Sequence, residues 1–179
     1  MKFLDLLNQV LLATNLISGT VPVIEVEQYH DPLVCLAANI YFEAGNQSKK
    51  GKDAVAHATL NRVEHEKYPD NICDVVYDAR YTTSWKGNKV PRRNECQYSW
   101  FCDGKSDRIQ LLYANGKPIG PNQRTWKASV IAAAQAITGI TQDPTNGATH
   151  YWNPRLASPN WGYPVTATIG NHTFATRND

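Results

Sequence analysis

Apolar positions in this chain recur mostly at helical spacing. Phe3, Leu6, Leu7, Val10, Leu11 and Leu12 fall roughly at i, i+3, i+4 and predict an amphipathic N-terminal helix. Ser18 to His30, with its Val, Pro and polar breaks, reads as an extended connector. Asp31-Pro32 then has the form of an N-cap followed by proline at the first helical position. Leu33, Val34, Ala37, Ile40 and Tyr41 carry that helix forward to Gly45. A second helix is predicted over about Lys52 to His65, through Val55, Ala58, Leu60 and Val63, and Pro69 stops any continuation. The clearest helix runs from Asn122 to Thr138, with Trp126, Val130, Ile131, Ala133, Ala134 and Ile137 as its inner face and Gly139 as its C-terminal cap.

Between and after these helices the periodicity fails. Asp74 to Arg108 is rich in Gly, aromatic and basic residues, and a stretch this long inside a domain is either functional or strand-bearing. From Pro144 onward the chain breaks into short pieces punctuated by Gly and Pro, with Tyr151, Trp152 and Trp161 among them. Strand-like alternation is sparse, so the expected class is mainly α. The expected division is residues 1–30 as amphipathic helix and connector, and 31–179 as one catalytic domain.

Composition narrows this picture. With 179 residues, 42% hydrophobic and 19% charged, the chain can bury a real core. A formal charge of +2 is too mild to argue for nucleic acid. Asp5, Asn8 and Gln9 interrupt the apolar start, so it does not read as a transmembrane span. Asp5 and the lack of a small-x-small site also set it apart from a cleaved leader, and export is then expected to need another route. Cys35, Cys73, Cys96 and Cys102 permit three disulfide connectivities. Cys96 with Cys102 would close a small ring and Cys35 with Cys73 would tie the first helix to the region after Pro69. Four reduced thiols are the other reading.

Candidate chemistry centres on Glu43, in the last turn of the helix that ends at Gly45. A carboxyl beside Tyr41 and Phe42 is poorly solvated, which disfavours its charged form and raises its pKa. An acid that holds its proton near neutral pH is what glycosidic cleavage requires. The alternative is a surface glutamate at a frayed helix end. No His-Glu-x-x-His pattern exists, and His57 and His65, eight apart, are poorly spaced for joint ligation, so neither metal nor other cofactor is expected. Cys35 near a helix N-terminus is the competing nucleophile, with His57 or His150 as base, although Val34 and Leu36 beside it favour an inert thiol. Gly-x-Ser-x-Gly and phosphate-binding glycine loops are absent. Arg80, Lys86, Lys89, Arg92 and Arg93, with Trp85 between them, could contact an anionic wall polymer, but read more simply as a solvated face.

Three blocks resemble the cell-wall hydrolases typified by the spore cortex-lytic enzyme SleB, a family that includes phage lysis proteins. The first runs Ala38-Asn39-Ile40-Tyr41-Phe42-Glu43-Ala44, then Gly51 and Ala54 to Val63 with its Asn61-Arg62-Val63. The second is Tyr68 to Val76 with Cys96-Gln97-Tyr98-Ser99-Trp100-Phe101-Cys102-Asp103-Gly104. The third is Ala148 to Pro154, then Trp161 and Ile169 to Phe174. The family commonly has Ala-Arg-Gly-Glu after its catalytic glutamate, whereas this chain has Ala44-Gly45-Asn46-Gln47. The departure removes an arginine and the nearest partner for a carboxylate pair.

The resemblance implies a lysozyme-like α+β fold, a helical core with a loop-rich lobe bearing short strands. It implies Glu43 as catalytic acid, acting on peptidoglycan between N-acetylmuramic acid and N-acetylglucosamine as a monomer in the bacterial envelope. A phage-encoded member would reach that substrate by release from the host cytoplasm. Asp53, Glu64, Glu66, Asp70, Asp103 and Asp107 sit among polar neighbours, Asp103 being the best second carboxylate. A single acid/base serving a lytic transglycosylase therefore fits better than a carboxylate pair, with muramidase hydrolysis as the alternative. Gln97 and Ser99 are expected to hydrogen-bond an N-acetyl group, Tyr98 or Trp100 to stack on a sugar or pack the core, and Tyr151 and Asn153 to face the groove. His150 is either a polar group of the site or a structural hydrogen-bonding residue. A wall-binding module that does not cut is the non-enzymatic reading.

Overall fold

The computed structural model describes residues 14–16, 18–26 and 29–177; the amphipathic helix expected over Phe3 to Leu12 lies outside them. Helix α1 spans Pro32–Ala44, and Asp31 caps it by accepting from the backbone N–H of Leu33 (2.9 Å) and Val34 (3.1 Å). Leu36, Ala37, Ala38, Asn39 and Ile40 are fully buried, so α1 is the central helix and Glu43 rides its last turn. Helix α2 spans Lys49–Val63, three residues earlier than the pattern predicts, because Ser48 provides the N-cap. A short α3 covers Ile72–Val76.

Helix α4, Gly120–Ile137, packs on α1 through Trp126, Val130, Ala132, Ala133 and Ala136. Its inner face is rotated from the predicted one: Ile131 and Ile137 are exposed, and small alanines take the contact. Close helix approach favours alanine over isoleucine at such a seam, which the apolar count alone does not reveal. Gly139 ends the helix at φ +70°, as expected of a C-terminal glycine.

The strand content exceeds what the pattern suggests. Strand β1, Val23–Glu25, pairs antiparallel with β4, Arg108–Gln110, and buries Ile24 and Val26. The stretch read as a connector is thus woven into the core. Within the aperiodic segment, β2 (Ala79–Thr83) and β3 (Lys89–Cys96) form an exposed hairpin. A 3-10 turn at Ser99–Cys102 follows it. The C-terminal pieces β5 (His150–Trp152), β6 (Val165–Ile169) and β7 (His172–Ala175) form a sheet of order β5-β7-β6. Two disulfides fasten these parts: Cys35–Cys73 joins α1 to α3, and Cys96–Cys102 joins the hairpin base to the 3-10 turn. Cys35 is therefore not a thiol nucleophile, and no described cysteine is free.

The sheet is pinned to α2 through Asp143. Its carboxylate accepts from Asn61 Nδ2 (3.0 Å), the Thr145 N–H (2.7 Å) and hydroxyl (2.6 Å), and the Gly147 N–H (2.8 Å). Burial works to raise the Asp143 pKa, but the hydrogen bonds from Thr145, Asn61 and Gly147 outweigh it and hold the group below its ordinary value. Asn61 also donates to the Ala148 carbonyl (3.0 Å), two residues before β5. This knot sets where β5 presents Tyr151. Asp143→Ala is expected to destabilise the fold by about 2–3 kcal/mol at pH 7. A carboxylate with a depressed folded pKa stabilises above the unfolded value and loses that contribution as pH falls through the folded one. The gap in melting temperature should accordingly narrow on acidification; a constant gap from pH 7 to pH 2 would refute the assignment.

Candidate active site

A groove of about 720 Å³ separates the end of α1 from the strand-bearing lobe. Tyr41, Phe42, Glu43 and Gly45 come from α1 and its end, Ser99 and Trp100 from the 3-10 turn, Asp103 to Asp107 from the segment after it, and Tyr151, Trp152 and Asn153 from β5 onward. Asn46, Gln47, Leu156, Ala157, Asn171 and His172 complete the lining.

Glu43 is half-buried on this surface. Its Oε2 accepts the Tyr151 hydroxyl at 3.1 Å. Burial raises its pKa above the ordinary glutamate value, and the Tyr151 hydrogen bond and the Arg62 charge only partly oppose that rise. The opposing charge is unusual in its setting. Arg62 is buried, and its Nε donates to the Thr149 carbonyl at 2.6 Å. Its guanidinium carbon lies 4.8 Å from the Tyr98 ring centre, 5.7 Å from Tyr68 and 5.9 Å from Tyr151. Burial disfavours the guanidinium charge, yet Tyr98, Tyr151 and Tyr68 outweigh that cost and hold its pKa above the ordinary value. A permanent cation thus stands behind the acid, with tyrosines between.

A second network fixes the same region from below. Tyr98 Oη and Thr59 Oγ1 are 2.8 Å apart, Asn39 Nδ2 donates to Thr59 Oγ1 (3.1 Å), and Trp100 Nε1 donates to Asn39 Oδ1 (2.9 Å). Trp100 also stacks on Phe42, with ring centres 4.6 Å apart. The rigid frame extends to the turn after α1. Lys52 is buried and donates from Nζ to the carbonyls of Gly45 (3.0 Å) and Gln47 (2.6 Å), a cationic cap on the helix end. Gln47 Oε1 accepts the Asn171 N–H at 3.1 Å and so joins this turn to the β6–β7 turn. At Gly45 a Cβ would press on the Tyr41 carbonyl oxygen and come within 3.1 Å of the Thr125 methyl of α4, so the turn after α1 is closely packed here.

The residues singled out from sequence divide cleanly. Glu43, Ser99, Tyr151 and Asn153 line the groove together. Tyr98 does not: it is buried beneath the floor and holds Arg62 and Thr59. Gln97 lies apart, in a separate depression with Asp78, Arg80 and Glu95. His150 is outside the groove, held by Thr149 (3.0 Å) and packed against Tyr163 and Trp161. Asp103 does reach the groove wall, where the Lys105 N–H and ammonium hold its pKa below the ordinary value. Sequence reasoning missed Arg62, Lys52 and His172. His172 lines the groove against the Tyr151 ring, and burial lowers its pKa. Among the described residues no three His, Cys, Asp or Glu side chains are placed to hold a metal ion, and no helix is long and apolar enough to cross a membrane.

Comparison with known proteins agrees with this architecture. The chain is 27% identical over 141 residues to a spore cortex-lytic enzyme of Halalkalibacterium halodurans, covering 78% of this chain and 33% of that protein. A spore cortex-lytic enzyme of Oceanobacillus iheyensis matches at 27% over 161 residues, covering 88% and 46%. The chain therefore spans less than half the length of either relative. Among solved structures, the catalytic domain of Bacillus cereus SleB matches with 26% identity and a TM-score of 0.52, covering 83% of this chain and 92% of that one. The catalytic domain of the germination-specific lytic transglycosylase SleB from Bacillus anthracis matches with 24% identity and a TM-score of 0.55, covering 83% and 96%. The fold is thus lysozyme-like, with a helical core and a strand-bearing lobe. The family described as Cell Wall Hydrolase matches residues 46–175, and the chain belongs to it.

Proposed function

We infer that this protein cleaves the glycan strands of peptidoglycan in the bacterial envelope, at the bond between N-acetylmuramic acid and N-acetylglucosamine, with Glu43 as its acid and then its base. One observation carries the reading: the Glu43 carboxyl faces the groove and burial raises its pKa, whereas the pKa of Asp103 on the facing wall is lowered. Asp103 is tied to Lys105 and held ionised. Of these two, Glu43 is the one whose surroundings favour the protonated form that donation needs.

The groove residues support a two-step path. Tyr151 occupies Oε2, and Oε1 receives no hydrogen bond from the described residues, which leaves it to carry the proton. Glu43 gives that proton to the bridging oxygen as the bond from the muramic C1 breaks, and the leaving sugar departs with a free hydroxyl. The substrate's own N-acetyl group stabilises the electron-poor C1. Glu43, now a carboxylate near the Arg62 charge, takes the proton from the 6-hydroxyl as O6 bonds to C1. The product is a 1,6-anhydro sugar, the acid is regenerated, and no water is consumed. This is lytic transglycosylation, and Arg62 is a positioning residue that makes the carboxylate stage accessible.

Hydrolysis is the second reading, favoured by Asp103, an ionised carboxylate on the same groove wall that could orient water. Mass spectrometry of the released fragments separates the two, because the anhydro product is lighter by one water. A wall-binding module would bind glycan and release nothing. Glu43→Gln should fold normally and lose roughly 10²–10⁴-fold in cleavage rate; retained activity would overturn the assignment.

Two further outcomes test the electrostatics. The raised pKa of Glu43 means the folded state holds a proton that the unfolded state gives up, so this group's contribution to stability falls as pH rises above the unfolded value. The melting temperature of Glu43→Gln should gain on wild type from pH 4 upward. Parallel profiles would contradict the shift. Arg62→Met should destabilise by about 2–3 kcal/mol and move the alkaline limb of the kcat/KM profile upward. Arg62→Lys, which keeps the charge but not the Nε donor, should return that limb towards wild type. A limb unmoved in Arg62→Met would reduce Arg62 to a packing residue.

A further inference from the structure

The β2–β3 hairpin is the largest feature that the groove chemistry leaves unused. Nearly every residue from Ala79 to Glu95 is exposed or only partly covered, so packing does not explain it. Two strands with no buried face are marginal on their own. This pair is nevertheless built to a defined shape. The Ser84 N–H donates to the Asn88 carbonyl (2.8 Å) and the Gly87 N–H to the Ser84 carbonyl (2.9 Å), which closes a tight turn with Gly87 at φ +81°. Trp85 stands on that turn, 91% exposed. At the other end, the Cys96–Cys102 disulfide anchors the hairpin to the 3-10 turn whose Ser99 and Trp100 line the groove.

Charge is concentrated here. The segment 79–96 carries Arg80, Lys86, Lys89, Arg92 and Arg93 against Glu95 alone, five of the chain's 18 basic side chains and one of its 16 acidic ones. The rest of the chain, thirteen basic against fifteen acidic, is net negative. The mild overall charge thus conceals an acidic body with a basic arm. Glu95 is shared at 3.8 Å by Arg80 and Arg92, which leaves the arm strongly positive. Arg93 leans back towards Gly104, beside the Asp103 wall of the groove. A polymer lying in the groove therefore passes the base of this arm.

We propose that the hairpin is a second binding surface, a basic arm that takes the carboxylates of the peptide stems on a glycan whose sugars occupy the groove. The inference rests on the proposed peptidoglycan substrate and names the part of it recognised outside the cleavage site. Stems recur along the strand on every muramic acid, so an arm fixed at the groove wall meets an anion whenever sugars are seated. Opposite charge at exposed sites gives modest, salt-sensitive attraction and faster encounter. An anionic lipid surface is the weaker fit. Lys86 Nζ lies 4.9 Å over the Trp85 ring and Lys89 Nζ 4.3 Å over Tyr81, so burying either ring in hydrocarbon would take an ammonium with it.

The test uses Glu43→Gln, which is expected to bind without cutting, in co-sedimentation with purified glycan carrying intact stems and with the same glycan stripped by an amidase, the lactyl carboxylates that this exposes being capped as methyl amides. Binding to the intact form should be roughly 5–10-fold tighter near 20 mM NaCl, and the preference should vanish near 0.5 M. Adding Lys86→Gln, Lys89→Gln and Arg92→Gln should abolish the preference, and Glu95→Gln should enlarge it. Equal binding to both glycans, an unchanged preference in the triple variant, or tighter binding to phosphatidylglycerol vesicles or to a phosphate-bearing wall polymer would overturn the proposal. With Glu43 intact, the triple variant should cleave stripped glycan at the wild-type rate. If wild type itself cleaves nothing, the enzymatic reading fails, while the binding comparison still decides the arm.

Discussion

A buried positive charge must be answered from all sides, and Arg62 organises this protein for that reason. The guanidinium cannot leave its charge uncompensated in the interior, so three chain segments converge on it. Tyr68 follows α2, Tyr98 precedes the 3-10 turn, and Thr149 and Tyr151 lead into and lie on β5. Among the described residues no carboxylate pairs with the charge directly; ring faces and one carbonyl share the task, with Nη1 left without a hydrogen bond. The same tyrosines that satisfy Arg62 then reach outward: Tyr151 grips Glu43, and Tyr98 ties into the Thr59–Asn39–Trp100 chain under the floor. Fold stability and site geometry here rest on a single constraint.

The arrangement also bears on the two opposite roles proposed for Glu43. An acid against aromatic rings keeps its proton, which suits donation, but a group too firmly protonated is a poor base afterwards. The tyrosine layer keeps Arg62 from forming a direct ion pair that would strip the proton early. It leaves enough of the cation's field to ease the charged stage. Burial is the larger effect, and the Tyr151 hydrogen bond and the Arg62 charge temper it.

Local signals were the legible part of the sequence. Asp31-Pro32 marks the start of α1 because capping is settled within four residues, and Gly45 marks its end, so Glu43 is placed on the last turn from sequence alone. Ser99, Tyr151 and Asn153 line the groove. What local reading could not supply was partnership across the chain. Arg62 in a run of polar residues looks solvated until three distant tyrosines surround it. Strands of three residues, such as β1 and β5, exist through their pairing with β4 and β7, and Ile131 turns outward because small alanines bring α4 closer to α1. Gln97 fails for a related reason, since the backbone turns between it and Ser99 and the two side chains serve different surfaces.

Gln47 joins the turn after α1 to the β6–β7 turn by accepting the Asn171 N–H. An amide does not titrate. The bond between Gln47 and Asn171 is accordingly indifferent to acidity, while Glu43, the proposed acid a few residues away, is not. Acidity can therefore change the charge of Glu43 without breaking this strap.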